Sequence, residues 1–344
     1  MEVFDFIVDR GPASLPPIDI LHVSPPCQVW SPAHTRVGRD DDANLAALFA
    51  TAQILRALRP RFATAEQTFG IHHARFRAYF HAFIAAFTAL DYSVAYRVVN
   101  LAEWGVCQPR RRLIVIAAEV GERLPPFPQP THARDGGPRG RGGRGLPGFL
   151  TIRQALRPLE IRERRGAQIT LHDVLAASDR AARVPTRFPR PPYDADRPLQ
   201  RTMTTDGGGN YHPTGTRDFT LREYACIQGF PVGYQFAEPG IRKQIGNAFP
   251  PTAVEVLYRH LHQWLREVDG VVGSEREQLG RRPAAADGDL VMLDYDPRLV
   301  VAVDDDDDDD DSDDDVVIID RVSRSRSSST SSATLSIGSG VGAE

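Results

Sequence analysis

The apolar run Ile18-Asp19-Ile20-Leu21-His22-Val23 stops abruptly at Ser24-Pro25-Pro26-Cys27-Gln28. Proline fixes φ and has no N–H, so the Pro-Pro pair ends sheet pairing and stiffens the loop that carries the thiol. In open α/β sheets, residues that handle ligands lie just beyond the carboxyl ends of strands. Taken alone, the pentapeptide suits a buried structural cysteine as well as a reactive one.

The following residues alternate between the periods of strand and helix. Leu45, Leu48, Phe49, Ala52 and Leu55 recur at helical spacing and predict a helix over 43–58, stopped by Pro60. Residues 61–66 read as a strand delivering Glu66. Phe76, Phe80, Phe83 and Phe87 give a helix over 72–89 one apolar stripe, the mark of a core-facing side. Strands are expected at 92–99 and at 112–118, where RLIVIAA is apolar enough to be central. Strand, helix, strand, helix, strand predicts a parallel α/β sheet.

Past Pro125 the character changes. A Pro-rich stretch leads into GGPRGRGGRG, where Arg139, Arg141 and Arg144 stand between glycines. This loop suits contact with a nucleic-acid backbone, and equally a flexible insertion without function. A closing helix is expected from Pro250 to Leu265. From about 269 the chain is dominated by Gly, Ala, Arg and Asp, and then by Ser and Arg. Such a composition cannot bury enough apolar surface to offset chain entropy, so a disordered tail is expected.

Composition sets limits on function. Hydrophobic residues make up 41% of the 344, enough for a sizeable core. Cys27, Cys107 and Cys226 form neither a disulfide framework nor a metal-ligand pattern, as in a reduced intracellular protein. No stretch resembles a signal peptide or a membrane span. The net charge of −4 conceals an asymmetry. Thirteen of the 45 acidic and three of the 41 basic residues lie from Asp304 onward, so the remainder carries 38 basic against 32 acidic. A basic body suits a polyanionic partner.

Five ordered motifs carry a family resemblance: Pro26-Cys27-Gln28, Glu66-Gln67-Thr68, Gln108-Pro109-Arg110-Arg111-Arg112, Arg197-Pro198 with its Thr-rich sequel, and Gln244-Ile245-Gly246-Asn247-Ala248-Phe249-Pro250-Pro251. With Leu221–Pro231 they resemble the cytosine-5 DNA methyltransferases, in flavour the fungal RID-type group. The resemblance implies a Rossmann-like α/β sheet, S-adenosylmethionine as methyl donor, DNA as partner and a nuclear location. It implies Cys27 as nucleophile, Glu66 at N3 and the amine of the base, and Arg112 at its O2. Arg110 and Gln108 brace the loop, and Pro26 and Asn247 line the cofactor cleft. Gln28, Gln108, Arg139, Arg141 and Arg144 are the expected DNA contacts. The corresponding partition is catalytic residues 1–124, a small target-recognition lobe at 125–196, a closing catalytic part at 197–268 and a tail at 269–344.

Two departures stand out. Gln67-Thr68 replaces the family's Asn-Val, and Cys107 stands where proline is common. The family's Gly-rich cofactor loop has no counterpart before Ile18, where Gly11 is the only glycine. The expectation is an N-terminally truncated methyltransferase; the alternative is an inactive relative that binds DNA or chromatin. In the tail, Val316-Val317-Ile318-Ile319 follows Ser312 and a run of aspartates. A β-branched segment beside negative charge suits strand addition to a partner's sheet and resembles a SUMO-interacting motif.

Overall fold

The computed structural model describes residues 17–26, 30, 41–136, 145–164, 189–237, 239–279 and 317–319. Cys27, Gln28, Arg139, Arg141 and Arg144 lie outside the described residues. Strand β1 is Ile20–Val23, followed by helix α1 (Asp41–Leu58) and strand β2 (Phe62–Thr68). Two short 3-10 turns, Phe69–His72 and Ala74–Phe76, lead into helix α2 (Arg77–Thr88). Strands β3 (Ser93–Asn100) and β4 (Arg111–Ala118) follow. Next come helices α3 (Ile152–Arg164), α4 (Leu221–Ile227), α5 (Ile241–Asn247) and α6 (Pro251–Leu279), and a last short strand β5 (Val317–Ile319).

The sheet order is β1-β2-β4-β3-β5. Among the described strands only β1 and β2 pair in parallel; β2 with β4, β3 with β4 and β3 with β5 are antiparallel. The expectation of a wholly parallel sheet is therefore corrected. The link from β3 to β4 holds a single 3-10 turn at Leu101–Trp104 and is too short for a crossover helix, so β4 must fold back beside β3. Helix α2 does make the crossover from β2 to β3, and β4 inserts between those two strands. The carboxyl ends of β1, β2 and β3 and the start of β4 consequently share one end of the sheet.

Alternation along the strands fills two layers. Ala63, Ala65, Val94, Tyr96, Leu113, Val115 and Ala117 pack with Leu55 of α1 and with Phe80, Phe83 and Phe87 of α2. The aromatic stripe is thus core, as its spacing predicts. On the opposite face Ala95, Val99, Ile114 and Ile116 meet Ala253, Leu257 and Leu261 of α6. A third cluster gathers Ile152, Ala155, Leu156 and Leu159 of α3 around Leu199, Met203, Phe219, Tyr224 and Ile245, with Cys107 among them. Residues on both sides of 196 share this cluster, so α3 packs as one body with the closing part of the chain. The Arg/Gly loop leaves and re-enters at an isolated bridge between Ala133 and Gly148.

Val317–Ile319, expected to add to a partner's sheet, pairs here with Val94–Tyr96 of the same chain. It covers an edge that would otherwise present unpaired N–H and C=O groups.

Candidate functional site

The period of two that buries the sheet also assembles the polar site. His22 of β1, Thr64 and Glu66 of β2, and Arg112 of β4 belong to the face that turns toward α6 rather than to the α1–α2 core. The His22 Nδ1 lies 2.9 Å from Thr64 Oγ1, which is itself 3.2 Å from the Tyr258 hydroxyl on α6. The His22 ring stacks on Phe249, with centroids 5.6 Å apart. Burial holds the His22 pKa below its ordinary value, against the pull of Glu66.

At the carboxyl end of this row sits Glu66, 5% exposed. Its Oε1 is 2.7 Å from Arg112 Nε, and its Oε2 accepts a 2.8 Å hydrogen bond from the Ser24 hydroxyl. Arg112 also donates through Nη1 to the Arg111 carbonyl at 2.8 Å. Ion pair and hydroxyl together satisfy a carboxylate that burial alone would destabilise.

Ser24 lies three residues before Cys27, so this hydrogen bond ties the thiol loop to the Glu66 strand. A second tie runs in parallel, from Gln67 Nε2 to the Pro25 carbonyl at 3.1 Å. The Gln67 amide oxygen accepts from the Thr68 backbone N–H at 2.9 Å. Beyond Cys27, the fully buried indole of Trp30 packs against Phe76 and Tyr79. Ser24 and Trp30, three residues to either side of Cys27 in the sequence, are thus each held by the fold. Sequence reading missed Ser24, and it took Gln67 only as a departure; glutamine's extra methylene gives it the reach to span from the next-to-last residue of β2 to the Pro25 carbonyl.

The other arginine motif residues serve a different purpose. Arg110, 2% exposed, donates to the Met203, Gly246 and Ala248 carbonyls at 2.9, 2.9 and 3.3 Å. Gln108, fully buried, donates to Gln228 Oε1 at 2.7 Å and accepts from the Met203 N–H at 2.7 Å. Gln228 in turn donates to the Ile245 and Ala248 carbonyls. The expectation that Gln108 contacts DNA is thus corrected, because both ends of its amide are spent inside the protein. Gln108 and Arg110 weld β4 to α4 and α5. Gly246 is required at this weld, since a Cβ there would meet the Thr204 and Thr205 backbone at 2.7–2.8 Å.

Helix α4 presents Gln228 from a firmly capped start. Thr220 and Glu223 form a capping box, and Arg217 grips the Glu223 carboxylate with two 2.8 Å bonds. Burial alone would raise the Glu223 pKa; Arg217, the Thr220 amide and His212 hold it below the usual carboxylate value. Cys107 is fully buried and its thiol pKa is pushed up to about 12 by burial, so it is an inert packing residue. Pro26 and Asn247 are exposed, and Asn247 stands two residues from the Phe249 ring on His22. Among the described residues no cluster of His, Cys, Asp and Glu has a metal-binding arrangement, and no helix is long and apolar enough to cross a membrane.

Comparison with known proteins follows the same residues. The chain is 27% identical over 283 residues to the type II methyltransferase M.NgoFVII of Neisseria gonorrhoeae, spanning 74% of this chain and 72% of that protein. It is 27% identical over 299 residues to M.XorII of Xanthomonas oryzae, spanning 73% and 69%. The crystal structure of the S. pombe Dnmt2 methyltransferase aligns with a TM-score of 0.45 and 15% identity, covering 78% of this chain and 81% of that one. The C-5 cytosine-specific DNA methylase family matches residues 5–137 and 152–263. These segments span well over half of the sequence and include all five motifs, and the protein belongs to the C-5 cytosine-specific DNA methylase family.

Proposed function

We propose that this chain methylates C5 of cytosine in DNA, with Cys27 as nucleophile and Glu66 and Arg112 as the base-handling pair. The observation that supports this most directly is the Glu66 carboxylate, held between Arg112 and Ser24 beside the loop that carries Cys27. C5 of cytosine is too weak a nucleophile to be methylated unaided. Addition of the thiolate at C6 forms an S–C6 bond at the expense of the C5=C6 double bond and makes C5 enamine-like. Once C5 has taken the methyl group, loss of its proton restores the double bond and expels the thiolate. Cysteine is the side chain best suited to that role near neutral pH. On addition, charge develops on the N3 side of the ring, where the Glu66 carboxyl hydrogen-bonds and shares a proton. With both Glu66 oxygens already engaged, an entering base takes Oε2 by displacing the Ser24 hydroxyl, while Arg112 keeps Oε1. Because the target lies inside a duplex, the base must swing out to reach this pocket.

The family's methyl donor, S-adenosylmethionine, supplies the electrophilic methyl group when bound. The described residues fit it on one side: Pro26 and Asn247 are both exposed, and the stacked His22–Phe249 pair lies next to them in the chain. No described residue is assigned to its ribose or its carboxylate.

Two finer readings rest on motif resemblance. A nuclear location suits a fungal RID-like protein, although the two relatives named above are bacterial. SUMO binding by Val316–Ile319 would require Val317–Ile319 to leave β3.

The test of the main reading is transfer of labelled methyl from S-adenosylmethionine to duplex DNA, with the product identified by nucleoside mass spectrometry. Label at cytosine C5 that disappears in Cys27→Ser is the expected result. Label elsewhere on the base, or undiminished label in Cys27→Ser, would overturn it.

A further inference from the structure

Thr64, Glu66 and Thr68 of β2 alternate onto the face that turns toward α6. The first two are engaged inside the protein. Thr64 Oγ1 meets His22 and Tyr258, and the Glu66 oxygens are taken by Arg112 and Ser24. Thr68 differs. It is 5% exposed, and its buried Oγ1 has no hydrogen-bond partner among the described residues. The Thr68 backbone N–H is satisfied by the Gln67 amide oxygen, so the orphan is the hydroxyl alone.

A buried hydroxyl without a partner loses its hydrogen bonds to water and gains nothing in return. Trp30 and Trp104 also bury an indole N–H without a partner among the described residues, but each ring fills a core cluster. Threonine has no such role to fill, since valine has nearly the same shape and no hydroxyl. Valine is also the residue of the family pattern at this place. The chain therefore carries a buried hydroxyl that its own fold leaves idle.

The register places that hydroxyl beside the chemistry. Thr68 stands directly opposite Arg112 in the antiparallel pairing, and both belong to the same face of the sheet. Such cross-strand partners hold their Cβ atoms about 4.5–5.5 Å apart. Arg112 bonds Glu66 through Nε and the Arg111 carbonyl through Nη1. Thr68 thus flanks the Glu66–Arg112 pair at the carboxyl end of β2, the end to which Ser24 and Pro25 are tied.

We infer that Thr68 is a further substrate-contact residue, whose hydroxyl donates to O2 of the flipped cytosine beside Arg112. The inference rests on the reading of Glu66 and Arg112 as the base-handling pair. Thiolate addition at C6 builds negative charge on the N3 and O2 side of the ring, so a donor at O2 bonds more strongly as the adduct forms. The hydroxyl that is unpaired in the free protein finds its partner only when a base is in place. Stability of the fold is thereby exchanged for turnover.

The natural chain, Thr68→Val and Thr68→Ser test it. Thermal unfolding without DNA reads the orphan. Thr68→Val should melt about 2–4 °C higher; a lower midpoint would show that the hydroxyl has a partner in the fold, and would overturn the inference. Single-turnover methyl transfer to duplex DNA reads the contact. Thr68→Val should be about tenfold slower, with little change in KM, because the bond strengthens in the transition state. Thr68→Ser keeps the hydroxyl and should recover most of that rate. No loss in Thr68→Val, or equal losses in both variants, overturns the inference. A duplex with 2-thiocytosine at the target identifies the atom, because sulfur is a weak acceptor in place of O2. On it the Thr68→Val loss should shrink to about twofold or less; an equal loss on both duplexes overturns the contact with O2. Absence of C5 methylation by the natural chain overturns the methyltransferase reading and this inference together. Full methylation by the natural chain with Thr68→Val unaffected overturns this inference alone.

Discussion

Arg110 and Arg112 flank Arg111, the first residue of β4, and although both are buried they do opposite work. The Arg110 guanidinium is consumed by the carbonyls of Met203, Gly246 and Ala248. Arg112 meets the Glu66 side chain, which in turn holds the Ser24 hydroxyl. Backbone carbonyls cannot rotate away, so the first arrangement is a permanent weld. Side chains can, so the second can exchange a partner for a substrate atom. What accepts from a buried arginine thus decides whether its arrangement is fixed or can open.

This contrast can be broken most forcefully at Arg110. Arg110→Met leaves the Met203 and Gly246 carbonyls without this donor, Ala248 keeping Gln228, and should cost about 3–5 kcal/mol, or prevent folding. Urea denaturation followed by circular dichroism would show it; a loss below 1 kcal/mol, in the sense of ~1, would mean the weld is not structural. Glu66→Gln shows its effect in turnover rather than in the fold alone. It keeps the shape of the site and an acceptor for Arg112, and costs about 3 kcal/mol because the buried guanidinium loses its counter-charge. It lowers methyl transfer by the folded protein about 10²–10⁴-fold. Near-normal turnover in Glu66→Gln would remove the carboxyl from the chemistry.

A smaller effect is expected at Gln67. Replacing it with Ala frees the Pro25 carbonyl and the Thr68 N–H and should cost about 1–2 kcal/mol. Because the thiol loop loses one of its two ties to β2, turnover should fall by about tenfold. If Gln67→Asn, one methylene shorter, behaves like the natural protein, reach is not what matters.

The smallest effect is a pH dependence of the same face. His22 is held neutral by burial, with its pKa in the fold lowered from 6.5. The unfolded chain therefore binds more protons as pH falls below 6.5, and stability is full above that value and lost below it. Urea midpoints at pH 7.5 and about 5.5 should differ by roughly 1 kcal/mol or less, and His22→Gln should flatten that portion of the profile. A midpoint that rises on acidification would contradict the sign.

Much of this site could be read before any coordinates. Glu66, Arg110 and Arg112 were singled out by motif, and the helices and strands fell near their expected positions because apolar periodicity reflects burial directly. The polarity of the sheet was not legible. Alternation reports which face of a strand is buried and says nothing about the direction of its neighbour; the short link from β3 to β4 was the available clue. Gln108 was misassigned because a glutamine in a basic motif looks the same whether it faces solvent or Gln228. Gln67 reads only as a departure from the family pattern, since its value depends on the distance from β2 to the Pro25 carbonyl, a quantity absent from a string of residues.

Family, the chemistry of the available groups and the positions of the main elements follow from residue type and local spacing. Which buried polar groups pair with each other is settled by the packed fold. It separated Arg110 from Arg112, recruited Ser24 and Gln67, and placed Val317–Ile319 on the chain's own sheet edge. Those outcomes depend on hydrogen-bond partners 42 to 138 residues apart and on a strand pairing of longer range still. Local preference cannot encode such distances; they are fixed when the layers close and every buried donor must find an acceptor.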